Sequence, residues 1–441
     1  MTNLLAARWL FGMSLAFHIV FAAIGVAMPL LMVLAEWRWR RTGEPAALEL
    51  SRRWAKGVAV LFAVGAVSGT VISFELGLLW PRFMAFAGPI IGMPFSLEGF
   101  AFFAEAIFLG IFLYGRDRVS PRLHLASGVL VAVAGAASAF FVTLANAWMN
   151  HPAGFQLLAG QATDVDPVAA MFPAGWAEQV LHVLLSSYAA TAFAVAGIHA
   201  AGLRRTPGDP FHRTALATVL PVALAAALLQ PISGDLSARR IAVTQPVKLA
   251  ALEGHFKTQR RAPLRIGGFP DAASGTTPGA LEIPGGLSLL AFHELDAEVR
   301  GLEAFPREAW PDPLKVHLAF EVMVALGTAL AALSLTTGLL WWRRRSLPTH
   351  PALLKALTWA APAGFLALEA GWLVTEWGRQ PFTVWGVLRT ADAVTPVGGL
   401  GVPLVTFAAL YVFLAAVTVA VLRRLVRQAS PAGRSAEEAA P

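Results

Sequence analysis

The sequence predicts an all-α integral membrane protein with nine transmembrane helices. Of its 441 residues, 56% are hydrophobic and only 14% are charged, a composition that ordinary soluble globular proteins do not have. The net charge of +7 comes from short basic clusters that lie between apolar runs. This arrangement indicates membrane topology and argues against nucleic acid as a partner, because no single polar face collects the basic residues.

The first predicted helix covers residues 9–35. Its apolar run is too long for the core of a signal peptide, and no small-residue cleavage site precedes the basic segment WRWRR. Eight further runs have roughly the 20 residues that span a bilayer core. They lie near 55–79, 95–114, 124–147, 176–202, 214–233, 316–342, 353–376 and 398–422.

Basic residues in alternate connections predict the orientation. One set of short connections holds 20 of the 34 Lys and Arg residues, whereas ten of the others lie in the long segment 233–315, where ten acidic residues balance them. The short loops therefore predict an external N-terminus and a cytoplasmic C-terminus. The predicted organisation is helices 1–6 in residues 1–232, an external loop in 233–315, helices 7–9 in 316–425 and a disordered tail in 426–441.

The chain contains no cysteine. Disulfides, thiolate-bound haem, iron–sulfur clusters and Cys-type zinc sites are therefore excluded. Any metal must be held by His, Met, Glu or Asp.

The segment EAGWLVTEWGRQPFTVWG places ionisable residues at the end of a membrane-length apolar run. On a helix, Glu369 and Glu376 lie two turns apart on one face, Trp372 lies one turn before Glu376, and Arg379 follows three residues after it. Ionisable groups at such a depth cost several kcal/mol unless they are paired or bind something. This segment is therefore a candidate functional site.

Other intramembrane polar residues fall near the outer ends of the predicted helices. We expect them to form one layer in the outer half of the membrane, because unrelated structural polar residues would have no reason to share a depth. They are His18, Glu98, Glu105, Glu178, His182, Glu321, Met323 and Glu376.

Some of these residues have the chemistry of haem ligands. His182 and Met323 could supply the two axial positions of a low-spin haem, although an interhelical hydrogen bond for the His and simple packing for the Met remain open. His18 and Glu376 could each supply a single axial ligand and leave an open iron position suited to oxygen chemistry. The helices lack the repeated His pairs of a bis-histidine cytochrome b, which argues against the quinone–cytochrome b complexes.

Two further pairs of residues are candidates for proton transfer and for quinol binding. Glu98 and Glu105 lie about 10 Å apart along one helix face. They could form a proton relay, or one could be a ligand and the other part of a relay. Alternatively, both could be protonated, hydrogen-bonded structural carboxyls. Lys248 and Glu253 in QPVKLAALEGHF could bind a quinol headgroup, or could belong to a solvated loop helix. Glu75 receives no role, and GGFPDAASGTTPGALEIPGG is expected to be irregular.

Seven segments together carry a family resemblance. They are MSLAFHIVF, LEGFAFFAEAIFLGIFLYG, ANAWMNHPAGF, EQVLHVLLSSYAA, QPVKLAALEG, FEVMVALG and GWLVTEWGRQPF. With these segments in the family's order and over nearly the full length, the chain resembles subunit I of the cytochrome bd family of quinol oxidases. The QPxKLAA and GRQP motifs are the most specific.

The resemblance implies two haems b and a third haem, either d or b, in the periplasmic half of a bacterial cytoplasmic membrane. It implies that His182 and Met323 ligate the low-spin haem b. It also implies that His18 and Glu376 ligate the two high-spin haems, in an order that stays open, with Glu98 close to one of them.

The remaining matched residues would serve proton and electron transfer. By resemblance, Glu105 belongs to the proton route, Trp372 stacks beside the haems, and Arg379 pairs with a haem propionate, which a guanidinium suits geometrically. Lys248 and Glu253 match the quinol-loop motif, with Glu253 as the proton acceptor. The implied partners are a second multi-helix subunit, subunit II, and often a small single-helix subunit.

Three features depart from many family members. The external loop is short, as in the branch that includes the cyanide-insensitive oxidases, and would lack the ordering contacts of longer loops. Glu321 stands where many relatives carry Arg, and an ionised acid there should lower the potential of a nearby haem. The motif ends in GRQPF where GRQPW is common.

The resulting hypothesis is a quinol:oxygen oxidoreductase that oxidises ubiquinol or menaquinol on the outside and reduces O2 with cytoplasmic protons, without a pump. A secondary transporter would also hold intramembrane carboxylates, but it usually shows repeat symmetry and helices broken near the midplane. A non-catalytic haem or quinone sensor is the other alternative. Haem content tests the first alternative and oxygen consumption tests the second.

Overall fold

Long α-helices account for most of the chain, as predicted. The computed structural model describes residues 2–428, and in that range nine spans, one of them in two parts, are long and apolar enough to cross a membrane. In chain order the helices are α1 (Asn3–Thr42), α2 (Pro45–Leu79), α3 (Pro81–Tyr114), α4 (Pro121–Asn150), α5 (Pro167–Met171), α6 (Trp176–Arg205), α7 (Pro210–Thr244), α8 (Pro246–Leu252), α9 (Gly286–Phe292), α10 (Pro313–Arg344), α11 (Pro351–Ala360), α12 (Ala363–Trp377), α13 (Thr390–Ala393) and α14 (Gly401–Gln428).

Short antiparallel strand pairs occur only between helices in this range. They are β1 (Gln156–Leu158) with β2 (Gln161–Thr163), β3 (Gln259–Arg260) with β6 (Glu298–Val299), β4 (Leu264–Ile266) with β5 (Leu281–Ile283), and β7 (Phe382–Val384) with β8 (Leu388–Arg389).

Proline marks the start of many helices. Eight of them, including α2, α7, α8 and α10, have Pro as their first residue. Proline fixes φ near the helical value, and the first turn does not need its missing N–H. Asp209 and Asp312 then cap α7 and α10 by accepting hydrogen bonds from backbone N–H groups of the first turn.

Two predicted spans differ from the structure in detail. The sixth was expected to end near 233, but α7 continues to Thr244, because the loss of hydropathy at SGDLSARR ends the apolar run without ending the backbone hydrogen bonding. The eighth was expected as one helix but consists of α11 and α12, which are separated at Ala361 and Pro362. Proline lacks the N–H that would continue the helix.

The segment between α7 and α10 contains regular structure, although it is a short form of the external loop. β3 pairs with β6 so that Gln259 lies opposite Val299, and β4 pairs with β5 so that Leu264 lies opposite Ile283. The stretch expected to be irregular therefore contributes one strand, β5, and an isolated bridge between Asp271 and Thr276, and its last residue, Gly286, begins α9. Of the tail predicted for 426–441, residues 426–428 continue α14 and the others lie outside the described residues.

The described residues fall into two compact units. The first contains residues up to 84, 102–135 and those from 394 on; the second contains 85–101 and 136–393. In the first unit, α1 packs along α2, and α14 packs against both. Its most buried acid, Glu36, accepts hydrogen bonds from Arg40, Arg116 and Ser51, so this carboxylate is paired.

The second unit places short α8 among long helices. α6 packs along α7, α10 packs against α12 and α7, and α8 contacts α7 and α10. Ala250, Ala251 and Leu252 of α8 are buried together with Val316 of α10 and Val374 of α12. This packing brings the QPVKLAALEG and GWLVTEWGRQPF segments to the same region.

Candidate functional site

A buried ion pair lies just past the end of α12. Arg379 Nη2 donates to Glu376 Oε2 at 2.6 Å, and the Arg379 side chain is only 2% exposed. Its Nε and Nη1 have no hydrogen-bond partner among residues 2–428. A guanidinium with unpaired donors costs free energy when buried, so this site is suited to an additional anionic group.

Two asparagines on α4 connect this pair to α8. Asn146 Nδ2 donates to Glu376 Oε1 at 3.1 Å, and Asn150 Nδ2 donates to Asn146 Oδ1 at 3.1 Å. Lys248 Nζ donates to Asn150 Oδ1 at 3.2 Å. Neither asparagine was expected to have a role, although both lie in the ANAWMNHPAGF segment; only their contacts reveal the connection.

Lys248 is deeply buried. Its side chain lies against Gly378, where an added Cβ would come 2.8 Å from Lys248 Cε. Burial, with a smaller contribution from the nearby Arg379, lowers the pKa of Lys248 to about 7, and Glu376 opposes the shift. The alternative of a solvated loop helix is therefore wrong: all residues from Val247 to Leu252 are buried.

Glu253 ends α8 and has different neighbours from Lys248. It is 6% exposed, and its Oε2 has no partner within the described part of the chain. Burial raises the pKa of Glu253 to about 8, with a second contribution from Glu321 and an opposing one from Arg265. The structure thus buries both predicted quinol residues but gives them different partners.

A histidine–arginine contact flanks Glu253. Arg265 Nη1 lies 3.1 Å from His255 Nδ1, and Arg265 Nε donates to Glu282 Oε1 at 2.9 Å. Because Arg is a donor, His255 Nδ1 accepts, and Nε2 donates to Val299 O at 3.3 Å. Burial lowers the pKa of His255 to about 4, in agreement with a neutral ring.

His317 and Glu321, one turn apart on α10, hold the segment after α8. His317 is fully buried, with Nδ1 2.7 Å from Leu252 O and Nε2 3.0 Å from Gly267 O. Glu321 Oε2 accepts from Gly267 N at 3.0 Å. Both contacts order the short loop, and neither role was predicted from the sequence.

His182 projects from α6 toward α7. Its Nδ1 lies 3.0 Å from Ser233 Oγ, and its Nε2 lies 3.1 Å from Gln230 Nε2. The interhelical hydrogen bond that remained open from the sequence is therefore present. On α10, the Met323 sulfur lies beside α12, since a Cβ added at Gly371 would come 2.9 Å from it.

His18 has a comparable contact in the first unit. Its Nδ1 lies 2.9 Å from Ser68 Oγ of α2, and a Cβ at Gly69 would lie 3.1 Å from His18 Cε1. The predicted common layer includes residues of both units, and it stays a prediction.

The other predicted carboxylates differ in their surroundings. Glu98 is half-buried and lies near Ser138, whereas Glu105 is 5% exposed and its Oε1 has no partner in the described chain. Glu75 accepts from Ser14 Oγ at 2.8 Å. Glu178 pairs with Arg240 at 2.9 Å.

Residues before the ion pair complete the EAGWLVTEWGRQPFTVWG segment. Glu369 Oε1 is also without a partner in the range described, and Trp372 lies half-buried on α12, next to Gly371.

Comparison with known proteins identifies the family. The chain matches the family described as cytochrome bd terminal oxidase subunit I over residues 6–430. It is 39% identical over 427 residues to the Bacillus subtilis protein named "Putative cytochrome bd menaquinol oxidase subunit I", covering 96% of each chain. It is 29% identical to the B. subtilis protein named cytochrome bd ubiquinol oxidase subunit 1, covering 97% of this chain and 94% of that one.

A solved structure has the same fold. The bd oxidase of Geobacillus thermodenitrificans matches with a TM-score of 0.90 and 38% identity, covering 97% of this chain and 98% of that chain.

Proposed function

Because this chain belongs to the cytochrome bd terminal oxidase subunit I family, we propose that it is the haem-bearing catalytic subunit of a terminal quinol oxidase. It is a multi-pass protein of the bacterial inner membrane, and this family works with subunit II. The finer proposal is that quinol is oxidised at the periplasmic side and that O2 is reduced to water with cytoplasmic protons. The N-terminus is then periplasmic, the C-terminus is cytoplasmic, and a proton motive force arises without pumping.

The single observation that carries this proposal is the buried Arg379. It retains two unpaired donors, Nε and Nη1, beside its ion pair with Glu376. A haem propionate is an anion that a guanidinium binds well. When bound, the haems supply one-electron transfer and oxygen chemistry; two haems b and a haem d, or a third haem b, are proposed.

The donor sets fit iron ligation. His182 has its lone pair on Nε2, where it accepts from the Gln230 amide and where iron would take the place of that contact, and Met323 offers a thioether sulfur; we assign both to the low-spin haem b. His18 and Glu376 are assigned to the two high-spin haems, in an order left open, with Glu98 close to one of them.

The site around α8 fits a quinol headgroup. Lys248 can donate a hydrogen bond, and Glu253, buried and with a free Oε2 among the described residues, can accept a proton. The relative with 39% identity is named a menaquinol oxidase, which favours menaquinol over ubiquinol. Glu105 is proposed to hold protons on their way from the cytoplasm, and Trp372 to pack beside a haem.

The first experiment is a dithionite-reduced minus air-oxidised spectrum of the complex with subunit II, followed by carbon monoxide. A red-region chlorin band that shifts with carbon monoxide indicates haem d; haem b bands that respond indicate an oxidase with three haems b. A folded complex without haem contradicts the proposal. Copurification also tests for a small single-helix subunit.

A paired substitution tests the low-spin ligands. We expect His182→Ala and Met323→Leu to remove the same low-spin signal and to leave high-spin haem in place. His293→Ala and Met93→Leu, at exposed positions, are the controls. Loss of different signals by the two ligand variants would refute the pairing.

A further inference from the structure

The two histidines assigned to iron have the same second contact, in separate units of the chain. In each case the His lies on the first helix of an antiparallel pair and a buried serine lies on the second: Ser68 opposite His18 and Ser233 opposite His182. Both serines are 0% exposed. A glycine follows each serine, at 69 and 234.

The hydroxyl proton of each serine already has an acceptor. Ser68 Oγ donates to Gly65 O at 3.1 Å, and Ser233 Oγ donates to Gln230 O at 2.9 Å. Because a hydroxyl has one proton, each Oγ is left to accept from the histidine. The proton of each imidazole is thereby assigned to Nδ1.

This assignment leaves the lone pair on Nε2. For His182, a second contact agrees, since the Gln230 amide Nε2 at 3.1 Å is a donor. A ring whose Nδ1–H is bonded to the protein keeps its Nε2 lone pair for a metal, which in His182 would replace the Gln230 contact, and such a bond raises the basicity of the ligand.

The glycines provide space for the rings. A Cβ at Gly69 would lie 3.1 Å from His18 Cε1, closer than ordinary contact, and one at Gly234 would lie 3.7 Å from His182 Cε1. A side chain after Ser68 would therefore press on the ring and change its orientation.

We propose that Ser68 and Ser233 are positioning residues, each of which fixes the tautomer and ring orientation of one haem-ligating histidine. The inference rests on the proposed function, because it requires His18 and His182 to be iron ligands. Each serine then acts on its own haem and not on the other. Its loss should weaken retention of that haem by about 10–100-fold, the usual effect of removing such a partner.

The test uses substitutions of equal shape in the assembled complex. Ser233→Thr keeps the oxygen, whereas Ser233→Val replaces it with a methyl group. We expect the Val variant to lose the low-spin haem faster to an apoprotein acceptor and to raise the midpoint potential of that haem, because a less basic ligand stabilises the oxidised iron less. The Thr variant should behave like the parent protein.

Matched controls exist on the same helices. Ser237 donates only to Ser233 O and Ser73 only to Gly69 O, so Ser237→Val and Ser73→Val remove a hydroxyl without touching a histidine. Ser68→Thr and Ser68→Val should act in the same way on one high-spin haem, with the low-spin signal unchanged.

The inference would be overturned if the Thr and Val variants lost haem at the same rate and had the same midpoint potential. It would also be overturned if the Val variant lost all haems equally. The proposed function fails separately. If His182→Ala keeps its low-spin haem, the ligand assignment is wrong; if that variant loses it while Ser233→Val matches Ser237→Val, only the role of the serine is wrong.

Discussion

Arg379 and Glu376 form a buried ion pair in which the Arg379 side chain is 2% exposed and the Glu376 side chain is 24% exposed. Removing one partner of a buried pair leaves an uncompensated charge, which costs about 3–5 kcal/mol. We expect Arg379→Met to lower the apparent melting temperature of the complex and to reduce its haem content. Arg379→Lys should recover part of both, because it keeps the charge but not the planar fork.

The control is Arg240→Met. Arg240 pairs with Glu178 but is 45% exposed, and exposed pairs contribute about 0–1 kcal/mol. Similar melting temperatures for Arg379→Met and Arg240→Met would contradict the importance of the buried pair.

The pKa of Glu253 predicts a pH dependence. Because burial and Glu321 raise this pKa to about 8, the carboxyl is protonated at lower pH and cannot accept a proton from quinol. We expect quinol oxidation to rise as the pH increases through about 8, and Glu253→Gln to abolish that rise. The same shift makes Glu253 favour the folded state below pH 4.5, an advantage that is lost as the pH rises through about 8.

Two charged neighbours of Glu253 should move the midpoint pH of the rise in quinol oxidation in opposite directions. Glu321→Gln removes a negative charge and should shift the rise to lower pH, whereas Arg265→Gln should shift it to higher pH. Glu308→Gln, at an exposed position between β6 and α10, should leave the pH of the rise unchanged. A rise that persists in Glu253→Gln would assign the proton acceptor elsewhere.

Asn150 should matter for quinol binding although no haem or quinol role was predicted for it. It accepts the Lys248 hydrogen bond, and one such bond contributes about 1 kcal/mol, or roughly fivefold in affinity. We expect Asn150→Ala and Lys248→Gln each to raise the KM for quinol and to leave the carbon monoxide difference spectrum intact. Lys315→Gln, 62% exposed, is the control. An unchanged KM in Asn150→Ala would show that Lys248 needs no positioning.

His317 should control the order of the loop. Its two nitrogens face Leu252 O and Gly267 O, so His317→Leu removes at least one buried hydrogen bond and leaves a carbonyl unpaired, at a cost of about 1–3 kcal/mol. We expect faster hydrogen–deuterium exchange in the peptides that contain Gly254 and Gly267. His293→Leu, at an exposed loop position, should exchange like the parent protein. Unchanged protection in His317→Leu would show that His317 does not order the loop.

The sequence by itself determined the fold class, the nine spans and the family. Apolar runs of membrane length and short motifs such as GRQP are local properties, so they need no knowledge of packing. It also indicated His182, Met323, Glu376 and Arg379 as unusual, because an ionisable or metal-binding side chain in an apolar run is a local anomaly.

Only the tertiary structure decided which residues meet. Asn150 is unremarkable in sequence and lies 98 positions from Lys248, and Ser233 lies 51 positions from His182. A polar side chain obtains its role from a partner on another helix, and helix rotation and packing set that partner. The burial of α8 stayed open for the same reason: seven residues with one Lys have the pattern of a surface helix until α7 and α10 enclose them.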